Sequence, residues 1–401
     1  MKKEKAAENF FYFVFVIWYL TEIIFNTTVE KIMDIPAQDI NNALNKLIFI
    51  LLMIEIIVLQ EYSFRELVMI GCITLPICFA SINSDHRVMM SFWMFLVASK
   101  YANLNKVILF AYIILCISVP LVIILCKAGA LQDVTVYRGG ILRHSCGFLH
   151  PNQLGIRIFQ WSLCYVHVNR KRNILITYCI LLVAIYFAYR IPNSQTSVIS
   201  MIVFLILLII KQFVDGNVGL NKLMKMMCIG TGLITAMSLW LSFNYNNNNM
   251  LMKKINRWIS YRFSCCKMVL KCYGVKLFGQ KVSLLFQDKH YVGVVYKLYL
   301  DNAYMHLLIV YGAITFIIFV FMYMMTMKYY SNYGDYLIVS ILFVFSVYGI
   351  MEMGLYSMSN NTFLLSISAF IYKNKPTRVA DDSWGKVRIR LNGKRMNKCH
   401  A

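Results

Sequence analysis

The sequence predicts an all-α, polytopic membrane protein of about twelve transmembrane helices with one sizeable extracytoplasmic loop. Three observations carry that prediction. Hydrophobic residues make up 59% of the chain, charged residues only 14%, and mean hydropathy is +0.61, outside the usual range of soluble domains. Stretches such as 10–25, 107–125 and 199–210 are longer and more apolar than ordinary core helices, and a bilayer core needs about 20 apolar residues per crossing. The runs also lack the apolar–polar alternation of membrane-barrel strands.

The candidate spans are 9–27, 43–60, 64–83, 88–102, 105–126, 148–168, 173–190, 196–213, 223–243, 302–327, 335–352 and 360–373. The first follows Lys2, Lys3 and Lys5 with no small-residue cleavage site after it, so a retained span is expected rather than a signal peptide. Asn169-Arg170-Lys171-Arg172, the 211–225 segment and a tail with nine basic residues from Lys373 fall on the same side as the N-terminus. The positive-inside rule makes that side, and both termini, cytoplasmic. The expected organisation is five N-terminal spans in 1–130, a membrane core in 131–373 that includes the outer loop 244–301, and a basic tail in 374–401. The outer loop runs against the rule, with ten basic residues against Asp288 and Asp301. Long loops obey it weakly, and an anionic ligand on the outer face accounts for the excess.

The chain has 40 basic and 18 acidic residues, a net charge of +22. In a membrane protein that excess points to lipid headgroups or an anionic lipid-linked substrate, not to nucleic acid. Most of the 12 cysteines lie in apolar stretches, and adjacent Cys265 and Cys266 do not read as a metal site. Glycine-rich phosphate loops, H-E-x-x-H, G-x-S-x-G and an Asp-x-Asp pair are all missing. If sugar is transferred, the donor is therefore expected to be lipid-linked, with no metal or other cofactor.

On this topology the polar signatures gather on the outer face. Arg138, Arg143 and His150-Pro151-Asn152 precede the sixth span, Arg190 follows the seventh, and Arg257 and Arg262 lie in the large loop. Asp301-Asn302 closes that loop, Glu352 ends the eleventh span, and Asn360-Asn361 opens the twelfth. Arginine's planar, permanently charged fork suits phosphate, and several together suit a diphosphate. Pro151 in a first helical turn leaves N–H groups that favour an anion. Each outer arginine taken alone also reads as a headgroup-snorkelling side chain, and His150 as an interfacial histidine. Arg157 lies seven residues after His150 on the same helical face, inside a span, where Glu55 or Glu352 is the expected partner. The 27 Phe, 26 Tyr and 24 Met read as membrane packing and anchoring.

Five elements in order resemble the Wzy-type polysaccharide repeat-unit polymerases, a family related to the O-antigen ligases. "RHSCGFLHPN" at 143–152 resembles that family's arginine and Gly-Phe-x-His-Pro-Asn helix entry, and "NSQTS" at 193–197 its Ser-Arg-Thr-Ser loop. "NRWISYRFSCCKMVLKCYGVKLFG" at 256–279 is similar to its Ser-Gly-Arg segment and later Leu-Phe-Gly. "LDNAYMHLLIVYGA" at 300–313 is similar to its Asp-Asn-x-Tyr helix start with a downstream glycine, and Glu352 through Asn361 and Phe363 to its closing elements. Gln195 departs from the family's arginine, so Arg190 is expected to supply that charge; Tyr261 departs from a glycine; Asp301 stands where related ligases have histidine.

The resemblance implies polymerisation of undecaprenyl-diphosphate-linked oligosaccharides into a surface polysaccharide at a bacterial plasma membrane, by metal-independent inverting glycosyl transfer. Its implied partners are those lipid-linked oligosaccharides, membrane lipids, and flippase and chain-length regulator proteins. The residues assigned to diphosphate or glycan are Arg138, Arg143, Asn152, Arg190, Arg257, Arg262 and Asn302. Asp301 is the first choice as general base, with Glu352 and His150 as alternatives. A ligase, a lipid-linked oligosaccharide flippase and a scaffold protein are the competing readings.

Overall fold

The computed structural model describes residues 2–31, 37–214, 216–287, 295–297 and 299–373. It is mostly helical, in the order α1 (Lys2–Ile24), α2 (Ala37–Ile54), α3 (Phe64–Ser84), α4 (Val88–Ala98), α5 (Leu104–Lys127), α6 (Pro151–Val168), α7 (Ile174–Arg190), α8 (Gln195–Phe213) and α9 (Gly216–Asn244). Then come α10 (Met250–Trp258), α11 (Arg262–Tyr273), α12 (Ala303–Val310), α13 (Gly312–Asn332), α14 (Tyr336–Tyr348) and α15 (Ile367–Tyr372). A helix occupies each of the twelve candidate spans, the tenth as the broken pair α12–α13. Among the described residues seven helical segments are long and apolar enough to cross a membrane: α1, α2 with its following π turn, α3, α5, α8, α9 and α13.

The expectation of an all-α chain needs one correction. The 127–147 connection carries a hairpin, β1 (Thr135–Arg138) with β2 (Ile141–His144), and the large loop carries another, β3 (Leu285–Gln287) with β4 (Val295–Lys297). The reversal at Gly139-Gly140, both at positive φ, matches the paired left-handed residues that tight hairpin turns require. The loop also holds two helices, α10 and α11. Asp288 and the tail from residue 374 lie outside the described residues.

Burial follows membrane logic. Every residue of α12 is buried, as are nearly all of α14 and α4. By contrast Ile57, Ile82, Ile117, Leu182, Ile229 and Leu233 are well exposed on outer helices. Soluble monomers rarely show apolar patches of that extent, whereas lipid tails solvate them without penalty.

Local capping explains where helices start at the end of the bundle that matters. His150 Nδ1 accepts from Asn152 N at 3.0 Å, with Pro151 at the first helical position of α6. Asn302 Oδ1 accepts from Met305 N at 3.0 Å and starts α12. The break between α12 and α13 falls at Gly312, where φ is +87° and an added Cβ would lie 2.3 Å from Gly279 N. Backbone groups released by the break find partners in the incoming chain: Gln280 N donates to Val310 O at 2.9 Å and Ala313 N to Lys276 O at 2.9 Å. Two glycines from separate sequence elements thus meet backbone to backbone.

Candidate anion site at one end of the helix bundle

The site begins with the β1–β2 hairpin. Asp133 fastens its base, accepting from Ser145 N at 3.0 Å and Cys146 N at 2.8 Å, while the His144 imidazole lies at 2.6 Å. Burial works to raise the Asp133 carboxyl, but His144 and the backbone N–H groups outweigh it and hold it below the usual carboxylate range. The hairpin delivers Arg143 into the protein at 3% exposure. Its Nε donates to Pro192 O at 2.8 Å and its Nη2 to Asn152 Oδ1. Arg138 Nη2 donates to Asn193 O at 3.3 Å. Burial, with Arg138 alongside, pulls the Arg143 guanidinium down to about 10, still a cation at neutral pH. Burial and then the Arg262 charge act the same way on Arg138.

Two backbone features bring the next segments close. An added Cβ on Gly155 would lie 2.3 Å from Ser194 Cβ, so α6 and the start of α8 touch only because residue 155 has no side chain. In the large loop, Ser260 and Tyr261 both adopt left-handed backbone, at φ 58° and 64°, which strains non-glycine residues. Buried Asn256 holds that turn: its Oδ1 accepts from Phe263 N at 3.0 Å and Ser264 N at 3.3 Å, and its O accepts from Tyr261 N at 2.7 Å. The turn that a glycine was expected to make is therefore made by Tyr261, clamped from outside, and Arg262 emerges from it at the head of α11.

Arg262 is the junction. Its Nη1 donates to Asp301 Oδ2 and its Nη2 to Glu352 Oε1, the latter at 2.7 Å. Asn152 Nδ2 donates to the same Glu352 oxygen at 2.7 Å, so Asn152 links Arg143 to Glu352. The two carboxylates are neighbours because Ala303 N donates to Gly349 O at 2.8 Å, tying the start of α12 to the end of α14. Side-chain exposures of 11% for Arg262, 17% for Glu352 and 29% for Asp301 place the junction under partial cover. Burial pushes the Glu352 carboxyl up, against the pull of Arg262, Arg143 and Arg138. Both its hydrogen bonds land on Oε1, leaving Oε2 without a hydrogen-bond partner among the described residues.

Five of the sequence-predicted residues, Arg143, Asn152, Arg262, Asp301 and Glu352, therefore form one hydrogen-bonded network from widely separated segments, and a sixth, Arg138, lies within the field of Arg262 and Glu352. Four others stand differently. Arg190 and Arg257 are exposed and make none of these contacts; the charge beside the 193–197 loop comes from Arg138, not Arg190. Asn302 is fully buried, donating to Ser238 Oγ at 2.7 Å and Ile350 O at 2.9 Å, so its amide is committed to anchoring α12 rather than to a ligand. His150 spends Nδ1 on the cap that orients Asn152. Arg157 pairs with neither expected acid: Nη1 donates to Ser359 O at 2.6 Å, and Glu22 on α1 is the carboxylate that feels its charge. Glu352 belongs to Arg262, and Glu55 is hydrogen-bonded to Gln60.

Asp133 and Asn256, which fix the two arginine-bearing turns, carried no sequence signal, since their roles depend on contacts with backbone N–H groups. Three guanidinium groups around two carboxylates can bind a polyanion while a carboxylate oxygen takes a proton. No family model, curated protein or solved structure matches the chain.

Proposed function

We propose that the chain is a polymerase of undecaprenyl-diphosphate-linked oligosaccharides, crossing a bacterial plasma membrane about twelve times, with both termini cytoplasmic and the arginine network on the outer face. The observation that carries this reading is the meeting of Arg138, Arg143 and Arg262 with Asp301 and Glu352 at one end of the bundle. A diphosphate leaving group needs several fixed cations as its negative charge develops. A sugar hydroxyl needs a base beside them.

In the proposed step an acceptor hydroxyl oxygen attacks the anomeric carbon of the donor glycan as the bond to the diphosphate oxygen breaks. The diphosphate departs with the electron pair, neutralised by Arg138, Arg143 and Arg262. The hydroxyl proton passes to Glu352. Glu352 suits that role better than Asp301, because burial raises its proton affinity and its Oε2 makes no hydrogen bond among the described residues. A single displacement inverts the anomeric centre.

The test is the purified protein reconstituted with one synthetic lipid-linked repeat unit and no nucleotide sugar or metal. A ladder of products supports the polymerase. Transfer only to a second, different acceptor would make it a ligase, and movement of intact lipid across the vesicle would make it a flippase.

A further inference from the structure

A cleft of about 1040 Å³ opens beside the arginine network, walled by α1, α2, α3, α4 and the 353–360 segment. α2 packs on α1 and α4, and α3 packs on α4 and α13, so the cleft lies between two helices that are not each other's main neighbours. Its lining is graded along the bundle. At the end shared with the network stand Asn42, Lys46 and Arg87; deeper lie Trp18, Leu52, Met94 and Phe95. Lys46 and Arg87 are exposed and have no ion pair among the described residues, whereas Asp85 is neutralised by Lys281 at 2.9 Å. Glu22 lies within the field of Arg157. Three buried polar atoms of lining residues, Ser81 Oγ, Gln153 Oε1 and Asn360 Oδ1, have no hydrogen-bond partner among the described residues, and such groups are costly unless something meets them.

Two exposed cations, neither in an ion pair among the described residues although Asp85 feels the Arg87 charge, stand above an apolar floor and match one chemistry, an amphiphile with an anionic head. We propose that this cleft seats a phosphate-headed lipid drawn from the surrounding leaflet, its phosphate at Lys46 and Arg87 and its chain along Trp18, Leu52, Met94 and Phe95. The cleft is separate from the arginine network but adjoins it, since Gln153 and Met353 in its wall follow Asn152 and Glu352 in the chain. On the polymerase reading, on which this role rests, the seated lipid is the acceptor, whose sugar reaches Glu352 past Gln153 and Met353. The binding itself does not depend on that reading.

Equilibrium binding of radiolabelled undecaprenyl phosphate to the full chain in neutral-detergent micelles tests the proposal. Two equivalents should bind, and Lys46→Ala/Arg87→Ala should weaken one of them about 30-fold while sparing the other. Ser91→Trp, which fills the cleft from α4 one helical turn below Arg87, should remove the same equivalent. Unchanged binding in both variants overturns the proposal, and so does equal affinity for neutral undecaprenol. Displacement by phosphatidylglycerol supports the site and makes bulk phospholipid its occupant; resistance to displacement supports it with an isoprenyl phosphate. A chain that binds two equivalents yet builds no ladder refutes the polymerase alone. A ladder-forming chain whose variants still bind both refutes the cleft alone.

Discussion

Replacing Arg262 with alanine removes the cation that, among the described residues, touches both carboxylates of the network. Asp301 and Glu352 would then face each other at limited exposure, with Asn152 the remaining hydrogen-bond donor to Glu352. Breaking a buried ion pair by removing one partner costs about 3–5 kcal/mol. Because Asp301 is 29% exposed, solvent screens part of that loss, and about 3 kcal/mol is expected at pH 8. The loss must also depend on pH. The folded-state pKa of Glu352 lies above its unfolded value because of burial, so the native state binds more protons between the two. Its contribution to stability is therefore fully present below the unfolded value, about 4.3, and is lost as pH rises through the folded one. Deleting Arg262 removes a downward pull and widens that window. Thermal unfolding of wild type and Arg262→Ala in detergent at pH 5 and pH 8 reads this directly. The variant should lose less stability at pH 5 than at pH 8. A deficit that is the same at both pH values, or below about 1 kcal/mol at pH 8, would refute the reasoning.

Tyr261→Gly should stabilise the protein by about 1 kcal/mol, because glycine takes the left-handed backbone of that turn without strain; denaturation midpoints measure it. Gly312→Ala should destabilise by more than about 2 kcal/mol, since φ is +87° and the new methyl would lie 2.3 Å from Gly279 N; loss of monodisperse protein on size exclusion would report it. Arg143→Ala should lower polymer yield about 100-fold or more, whereas Arg190→Ala and Arg257→Ala, exposed and outside the network, should change it less than about threefold. Quantified gel ladders from matched amounts of protein separate the two groups.

Much of the helix layout was legible because apolar runs of membrane length leave little choice of structure. Every candidate span holds a helix among the described residues, but the tenth, expected as one continuous span, is broken at Gly312. The network was legible for a different reason: polar residues at helix starts and ends are few in such a chain, and alternation of direction puts alternate ends together. That logic found Arg143, Asn152, Arg262, Asp301 and Glu352. It failed where chain position and side-chain direction part company. Asn302 adjoins Asp301 in sequence, yet its amide points back to Ser238 and Ile350. Arg190 lies near Asn193 in the chain, but Arg138 reaches that loop from across the hairpin. The carboxylate that feels the Arg157 charge was missed because Glu22, on a helix more than a hundred residues away, shares no local pattern with it. The cleft between α2 and α3 was invisible for the same reason, as its lining comes from five separate stretches of chain.

In the proposed polymerase, Glu352 takes the acceptor proton while the arginines receive the diphosphate. Proteoliposomes charged with a single lipid-linked repeat unit, assayed together for free undecaprenyl diphosphate and for new glycosidic bonds, test it most directly. A polymerase of this design releases one diphosphate for each bond formed in wild type, and Glu352→Gln should lose both with donor binding retained. Unchanged bond formation in Glu352→Gln, or diphosphate release without a new bond in wild type, would contradict it.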